Sequence, residues 1–173
     1  GPSLGGMVVV AFAAVAPGGA RRLVSISGSP GAMPFAIALR SLQREAITSD
    51  PAWQGGNYTD PLHGPQSGMR IARKLGTITY RSAEEWRVRF GRNGLSPTGR
   101  KAVAQALKRA PEGFGPIFDV ESYLEAQAER FVRIFDPNCY LYLSRALDCF
   151  DLTDHGEPAA IMKRAGLASA LVI

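Results

Sequence analysis

The sequence is poor in cysteine, and its two cysteines suit neither a disulfide nor a metal site. Cys139 and Cys149 lie ten positions apart within one helical pattern. At that spacing they are about 15 Å apart along the helix axis, too far for a bond. Neither belongs to a C-x-x-C pair or has a histidine pair beside it. We therefore expect no metal, and a reducing, cytoplasmic environment.

The sequence also lacks a membrane-spanning segment and a signal peptide. No run approaches the ~18 consecutive apolar residues that cross a bilayer, because Pro17, Gly18 and Gly19 interrupt the longest one. No charged segment precedes an apolar stretch at the start, and no methionine precedes Met7. With 46% hydrophobic and 20% charged residues in 173, the composition is typical of a globular protein. We expect the chain to begin inside a longer one.

Acidic residues are scarce in one part of the chain and basic residues in another. Residues 70–109 contain eleven Lys and Arg but only two Glu, a net charge of +9, whereas residues 112–157 have a net charge of −7. We expect these segments to neutralise each other as ion-paired helix faces. A phosphate-bearing cofactor is the alternative partner. Nucleic acid is disfavoured, because no known nucleic-acid-binding motif accompanies the charges.

Helix-then-strand units at both ends predict an α/β protein. Residues 3–16 are small and apolar on every side, which predicts a helix that is buried all round. Residues 21–27 then indicate a short buried strand. Near the other end, a helix predicted at 157–165 precedes a second buried strand at 168–173. Such units build parallel sheets.

About 135 residues without a convincing strand separate these units, far more than the ~2–6 residues of an ordinary connection. They predict an inserted helical subdomain, in which Asp119 and Asp136 are N-caps and Pro137 is a first helical residue. The chain therefore divides into a partial core at 1–32, a helical insertion at 33–156 and a return to the core at 157–173. Helices are predicted at 33–48, 66–76, 82–90, 100–109, 119–134 and 137–149.

One short motif carries chemistry. Gly1-Pro2-Ser3-Leu4-Gly5 matches G-x-S-x-G, the nucleophile elbow, in which a serine occupies a strained turn between a strand and a buried helix. Side chains at positions 1 and 5 are expected to collide with neighbouring elements, and Gly6 to permit a still closer approach. The helix N-terminus favours negative charge, so the Leu4 N–H is expected to donate to an oxyanion.

Longer segments carry a family resemblance. They include Asp-Pro-Ala-Trp-Gln-Gly-Gly-Asn-Tyr at 50–58, and the full set is 1–7, 43–47, 50–58, 68–76 with 79–82, 118–124 and 135–148. Together they resemble the homoserine O-acetyltransferase family, the homoserine and serine O-acyltransferases of the α/β-hydrolase superfamily. The resemblance covers nearly the whole chain. It implies the central portion of an α/β-hydrolase fold with an inserted, all-helical lid.

The resemblance implies an acyltransferase that moves an acyl group, most simply acetyl, from acyl-CoA to the hydroxyl of L-homoserine or L-serine. Ser3 would attack the thioester, the Leu4 N–H would hold the oxyanion, and the acyl-serine would pass to the amino-acid hydroxyl. Such enzymes serve methionine or cysteine biosynthesis. Acetyl-CoA or succinyl-CoA is then a co-substrate rather than a resident cofactor. Nucleic acid and membrane partners are not expected, and the full-length protein is expected to be a homodimer.

The family's A-R-x-x-G-x-x-T-Y segment supplies an arginine and a tyrosine to the active-site tunnel, here Arg73 and Tyr80. Seven positions separate them, which is two helical turns, so one helix face can present both side chains. An arginine can bind the substrate carboxylate bidentately. The lid motifs look closer to the serine-acylating branch, but one methylene of acceptor length contributes only ~1–3 kcal/mol of discrimination, so both acceptors stay open.

The family's catalytic acid and histidine would follow the strand at 168–173, beyond this chain. His155 and its neighbouring aspartates are not expected to replace them, because they lie in a loop before that strand. His63, in a loop rich in Pro and Gly, is interpreted in the same way. Without a base for the Ser3 proton, the isolated chain is expected to be inactive. Its half sheet is expected to favour dimerisation or aggregation.

Two alternatives to acyl transfer stay open. An esterase or hydrolase of the same fold would use water as the acyl acceptor, and a comparison of transfer with hydrolysis distinguishes it. A non-catalytic helical binding module would use residues 70–109 as a partner surface and would bind nucleic acid with a steep salt dependence. That second alternative leaves the elbow unexplained.

Overall fold

The structure is a computed structural model that describes residues 2–60 and 63–173. Its helices are α1 Leu4–Val15, α2 Pro34–Thr48, α3 Gln66–Thr79, α4 Ala83–Phe90, α5 Pro97–Ala102, α6 Ala104–Arg109, α7 Asp119–Val132, α8 Pro137–Cys149 and α9 Pro158–Arg164. Two strands, β1 Arg22–Ser25 and β2 Ser169–Val172, and two 3-10 helices, Pro51–Gly56 and Leu152–His155, complete it. Within the described residues, every helix is too short or too polar to cross a membrane.

The chain forms two compact units. The first combines the residues up to Ala38 with Tyr142–Ile173, and the second is Leu39–Leu141. The first unit contains both strands, whereas the second is helical. The boundaries predicted for the helical insertion, 33 and 156, stay a prediction.

In the first unit, the two predicted helix-then-strand units combine into one small parallel sheet. β1 pairs with β2 from Arg22 opposite Ser169 to Ser25 opposite Val172. α1 packs against β1, and α9 packs against α1. The core below them consists of two clusters, Ala13, Leu23 and Ala165, and Ala14, Leu152 and Ile161. The sheet thus places the segment before α1 beside the end of β1.

The predicted burial of the first helix and the last strand is wrong for this chain. In α1 the buried residues are Gly6, Met7, Ala13 and Ala14, whereas Val8 and Phe12 are exposed. All four residues of β2 are exposed. In the described part of the chain, β1 and β2 pair only with each other. A sheet of two strands cannot cover both sides of a helix that a wider sheet would bury.

In the second unit, α3 and α7 form the main helix pair around a core of Ile47, Met69, Ala72 and Val132. The predicted helix at 100–109 is broken at Val103, whose φ of −95° and ψ of 2° are not helical. Its first part begins earlier, at Pro97, because the Ser96 hydroxyl caps it by accepting from the Gly99 N–H at 3.0 Å.

The predicted N-cap at Asp119 is also wrong, whereas the one at Asp136 is confirmed. Phe118 precedes α7, and the Asp119 carboxylate instead accepts from the Ser96 N–H at 3.0 Å. Asp136 accepts from the Cys139 N–H at 2.8 Å, with Pro137 as the first residue of α8. A long-range contact reinforces this cap, because the Tyr58 hydroxyl donates to the second Asp136 oxygen at 2.8 Å.

Candidate active site

Ser3 lies in a strained turn immediately before α1. Its φ of 57° and ψ of −107° fall in a region that residues with a side chain rarely adopt. The Ser3 N–H donates to the Ile26 carbonyl at 2.9 Å, and the Ser3 carbonyl accepts from the Met7 N–H at 3.0 Å. The end of β1 and the first turn of α1 therefore hold the turn from both sides. The strained backbone predicted from the elbow motif is confirmed.

The glycine that permits this close approach is Gly6. A Cβ on Gly6 would lie 2.7 Å from the Ile26 carbonyl oxygen and 2.9 Å from the Gly28 Cα. The buried Ser25 hydroxyl completes the contact by donating to the Gly6 carbonyl at 3.1 Å. The predicted collision at Gly5 is wrong for this chain, since a Cβ there meets nothing within 4 Å. Gly1, the first residue of the motif, lies outside the described residues.

The N-terminus of α1 offers a place for negative charge. Leu4 is the first residue of this 12-residue helix, so its N–H has no intrahelical acceptor. The positive end of the helix dipole lies there too. The Ser3 side chain itself is exposed. A backbone N–H directly after an exposed serine hydroxyl is the arrangement that an oxyanion hole uses.

His155, which shares the first unit with Ser3, is not paired with it in the structure. Among the residues that the structure describes, no hydrogen bond joins the Ser3 hydroxyl to His155, which is exposed at the end of a 3-10 helix. His63 is exposed and pairs with Asp60, with 2.8 Å between Nδ1 and the carboxylate. No group of three His, Cys, Asp or Glu residues capable of holding a metal occurs in the same described part.

Arg73 and Tyr80 lie together in the second unit. The Arg73 guanidinium carbon is 5.9 Å from the centroid of the Tyr80 ring, so the two side chains lie together, as predicted, although Tyr80 directly follows α3 rather than belonging to it. The same carbon is 4.4 Å from the centroid of the Phe131 ring, a cation–π distance. Ser3 and Leu4 belong to the first unit, so the four predicted site residues form two pairs.

Within the described part of the chain, Arg73 differs from its basic neighbours in having no acidic partner. Arg70, Lys74 and Arg109 all pair with the buried Glu125, and Arg70 and Arg109 also reach Glu129. These bonds join the basic and acidic segments as predicted. Within residues 2–60 and 63–173, Arg73 forms no salt bridge, and its buried Nε has no hydrogen-bond partner. A buried donor without a partner is rare in folded proteins and requires an explanation, such as a bound water, ion or ligand acceptor.

Sequence reasoning missed the side chains that surround Arg73. Phe131 stacks on the guanidinium, and the Tyr140 hydroxyl donates a hydrogen bond to Gln43 Oε1 at 2.9 Å. Burial, together with Tyr80 and against the opposing effect of Arg73, raises the pKa of Tyr140 to about 12. One sequence signal was available, because Gln43 lies one helical turn before Ile47 on the buried face of α2.

Comparisons with known proteins give relatives by sequence. No protein-family model matches the chain. The chain is 54% identical over 172 residues to a serine O-succinyltransferase of Stenotrophomonas maltophilia, covering 99% of this chain and 43% of the relative. It is 49% identical over 174 residues to a serine O-succinyltransferase of Litchfieldella anticariensis, covering 99% of this chain and 45% of that relative. The resemblance to the homoserine and serine O-acyltransferases is confirmed. The chain spans less than half the length of these relatives.

Solved structures agree on the fold of this chain. A homoserine O-acetyltransferase from Bacillus anthracis matches with a TM-score of 0.74 and 16% identity, covering 100% of this chain and 52% of that one. An acetylester hydrolase from Corynebacterium glutamicum matches with a TM-score of 0.71 and 20% identity, covering 99% and 44%. At such identities the likeness establishes only the fold. The predicted partial α/β-hydrolase fold is therefore confirmed.

Proposed function

We propose that the chain is the central portion of an O-acyltransferase that moves an acyl group from acyl-CoA to the hydroxyl of L-serine or L-homoserine. The observation that carries the proposal is the strained backbone of Ser3 at the N-terminus of α1. Strain of this kind persists where the surrounding structure enforces it, and it concentrates at functional sites. The relatives described above support an acyltransferase in preference to other enzymes of this fold.

In the proposed reaction, Ser3 Oγ attacks the thioester carbonyl and loses its proton to a base outside this chain. The Leu4 N–H donates to the resulting oxyanion. The C–S bond then breaks, the CoA thiolate leaves with a proton, and an acyl ester forms on Ser3. The amino-acid hydroxyl attacks this ester, so the acyl group passes to the acceptor and the Ser3 hydroxyl is restored. The 173-residue chain alone is accordingly expected to be inactive.

We assign the acceptor's carboxylate to Arg73 and Tyr80. A guanidinium matches a carboxylate with two parallel hydrogen bonds, which an ammonium cannot provide. The free Nε of Arg73 and the absence of an acidic partner in the described part of the chain support this assignment. The phenolic hydroxyl of Tyr80 would add one more donor.

For the donor and the acceptor, the names of the relatives favour succinyl-CoA and L-serine, whereas sequence analysis favoured an acetyl donor. We therefore propose succinyl transfer to serine, in the cytoplasm and for amino-acid biosynthesis. Acetyl-CoA and homoserine are the alternatives to be measured beside them. The longer protein is expected to be a homodimer that needs neither nucleic acid nor a membrane.

The test is a product assay with the longer protein. Succinyl-CoA or acetyl-CoA is supplied with L-serine, L-homoserine or neither, and both O-acyl amino acid and free acid are quantified. Acyl transfer faster than hydrolysis, lost in Ser3→Ala, supports the proposal and identifies donor and acceptor. If only free acid is released, at a rate that does not depend on the amino acids, the protein is a hydrolase of this fold and the proposal fails. No turnover of either donor would favour the binding module.

A further inference from the structure

A buried amide lies beside the Arg73 site. Gln43, on α2, is only 5% exposed, and a buried amide is normally hydrogen-bonded through both its oxygen and its nitrogen. Its oxygen is satisfied, because the Tyr140 hydroxyl donates to Oε1 at 2.9 Å. Within residues 2–60 and 63–173 this is the hydrogen bond of the Gln43 side chain, and Nε2 is not among the fully buried atoms that lack a partner.

Tyr140 determines which way this amide faces. Burial raises the pKa of the phenol to about 12, so at neutral pH the hydroxyl keeps its proton and can donate it. In the structure the hydroxyl donates to Oε1, so the oxygen of the amide lies on the Tyr140 side. The two N–H groups of Gln43 Nε2 therefore face away from Tyr140.

The Nε2 end of Gln43 faces α3 at Gly76. A Cβ on Gly76 would lie 3.1 Å from Gln43 Nε2 and 3.8 Å from the Tyr80 hydroxyl. Gly76 is one turn after Arg73 and four residues before Tyr80, so it lies between them on the same helix face. Because Gly76 has no side chain, Gln43 Nε2 and the Tyr80 hydroxyl border the same space.

We propose that Gln43 is a further substrate-binding residue, whose Nε2 donates a hydrogen bond to the acceptor carboxylate that Arg73 binds. This inference rests on the proposed function. A carboxylate has about four lone-pair sites, and a bidentate arginine uses two of them. Gln43 and Tyr80 supply donors for the others. Tyr140 is a positioning residue that acts through the Gln43 amide.

The rival explanation is structural, with Gln43 serving only to connect α2 to Tyr140. Two substitutions separate the explanations. Gln43→Glu keeps the length of the side chain and an oxygen that accepts from Tyr140, but places a negative charge beside the bound carboxylate. Gln43→Met keeps the approximate volume and removes both donor and acceptor. Leu42→Glu is the matched control, because it adds the same charge to the next residue on an exposed side chain.

Two readouts are taken on the longer protein, and only one requires turnover. The first is the Kd for L-serine, measured by calorimetric titration of the unacylated protein. The second is the rate at which acyl-CoA acylates Ser3, which does not involve the amino acid. We expect Gln43→Glu to weaken serine binding at least about ten-fold, Gln43→Met about ten-fold and Tyr140→Phe several-fold. Ser3 acylation in these variants falls far less than serine binding does, and the Leu42→Glu control stays at the wild-type values.

An unchanged Kd for serine in both Gln43 variants would overturn the inference. Equal losses in serine binding and in Ser3 acylation would also overturn it, because Gln43 would then act through the fold. The two proposals can fail separately. If neither succinyl-CoA nor acetyl-CoA acylates Ser3, the proposed function fails. If the wild-type protein still binds serine, the Kd of the Gln43 variants decides the role of Gln43.

Discussion

The guanidinium of Arg73 is held by the Phe131 ring, with 4.4 Å between the guanidinium carbon and the ring centroid. Phe131 in turn stacks on Phe135, with centroids 5.0 Å apart, and meets Tyr140 edge-on at 6.1 Å. A ring face attracts a cation without neutralising it. The positive charge of Arg73 is therefore positioned by aromatic side chains and stays available to an anionic ligand.

Weakening this arrangement is expected to affect the amino-acid acceptor and spare the acyl donor. Arg73→Lys loses the bidentate geometry and should raise the KM for the acceptor at least about ten-fold. Phe131→Leu removes the ring but keeps the site apolar, and should raise the same KM several-fold. Steady-state kinetics of the longer protein measures both. A change confined to the KM for acyl-CoA would show that Arg73 serves the donor instead.

Gly6 and Gly5 form a matched pair for the turn around Ser3. Gly6→Ala forces a Cβ to 2.7 Å from the Ile26 carbonyl, so it should lower the free energy of unfolding of the chain by about 1–3 kcal/mol. Gly5→Ala meets nothing within 4 Å and should be neutral, or stabilising by up to about 1 kcal/mol through helix propensity. Denaturant titrations compare the two. Equal losses in both variants would contradict the packing described for this turn.

The cap at Asp136 predicts a stability that depends on pH. Burial acts to raise the pKa of Asp136, but hydrogen bonds from Cys139, Tyr58 and Asn138 outweigh it and leave the pKa below the ordinary value of 3.8. A carboxyl whose pKa is lowered by folding stabilises the protein above its ordinary pKa, and this contribution is lost as the pH falls through the folded-state pKa. Denaturant unfolding between pH 2 and 7 measures the effect.

Asp136→Asn should lower the free energy of unfolding by about 1 kcal/mol at neutral pH, as loss of a helix cap does. The substitution should also reduce the amount by which the free energy of unfolding falls as the pH is lowered. The Asp154 carboxylate is exposed, and Asp154→Asn is the control for a general effect of one carboxylate fewer. If the free energy of unfolding falls equally steeply at low pH in wild type and in Asp136→Asn, this account of the cap is refuted.

Glu125 is the centre of the ion pairs that join α3, α6 and α7. Its side chain is 6% exposed, whereas those of Lys74 and Arg109 are about one-third exposed. Glu125→Gln should destabilise the chain by about 1–3 kcal/mol, less than a fully buried pair because water reaches the cations. Glu84→Gln, which breaks an exposed pair with Arg87, is the control and should leave the melting temperature unchanged. Equal shifts in the two variants would contradict this ranking.

Local patterns predicted the local features of this molecule. The elbow motif predicted the strained turn at Ser3, and apolar periodicity predicted most helices to within a few residues. The failures concern what a segment meets elsewhere in the chain. The all-apolar pattern of α1 cannot specify how many strands cover it, and Asp119 was assigned to its own helix although it accepts from Ser96.

The Arg73 site shows the same limit. The spacing of seven residues predicted that Arg73 and Tyr80 lie together, because Tyr80 directly follows the helix that contains Arg73. The hydrogen bond between Gln43 and Tyr140 joins residues 97 positions apart, and Phe131 comes from a third helix. The hydrophobic periodicity of one segment cannot predict a contact with a distant segment. Only the polarity of Gln43 at a buried position of α2 indicated that something beyond packing was required there.

The central claim is that Ser3 carries the acyl group, and mass spectrometry of the longer protein with peptide mapping tests it most directly. The protein is mixed with succinyl-CoA or acetyl-CoA, digested and mapped, beside Ser3→Ala. We predict a mass gain of one acyl group on the peptide containing Ser3, its discharge on addition of L-serine or L-homoserine, and no gain in the variant. An acyl group on another residue, or acyl transfer that proceeds undiminished in Ser3→Ala, would contradict the account.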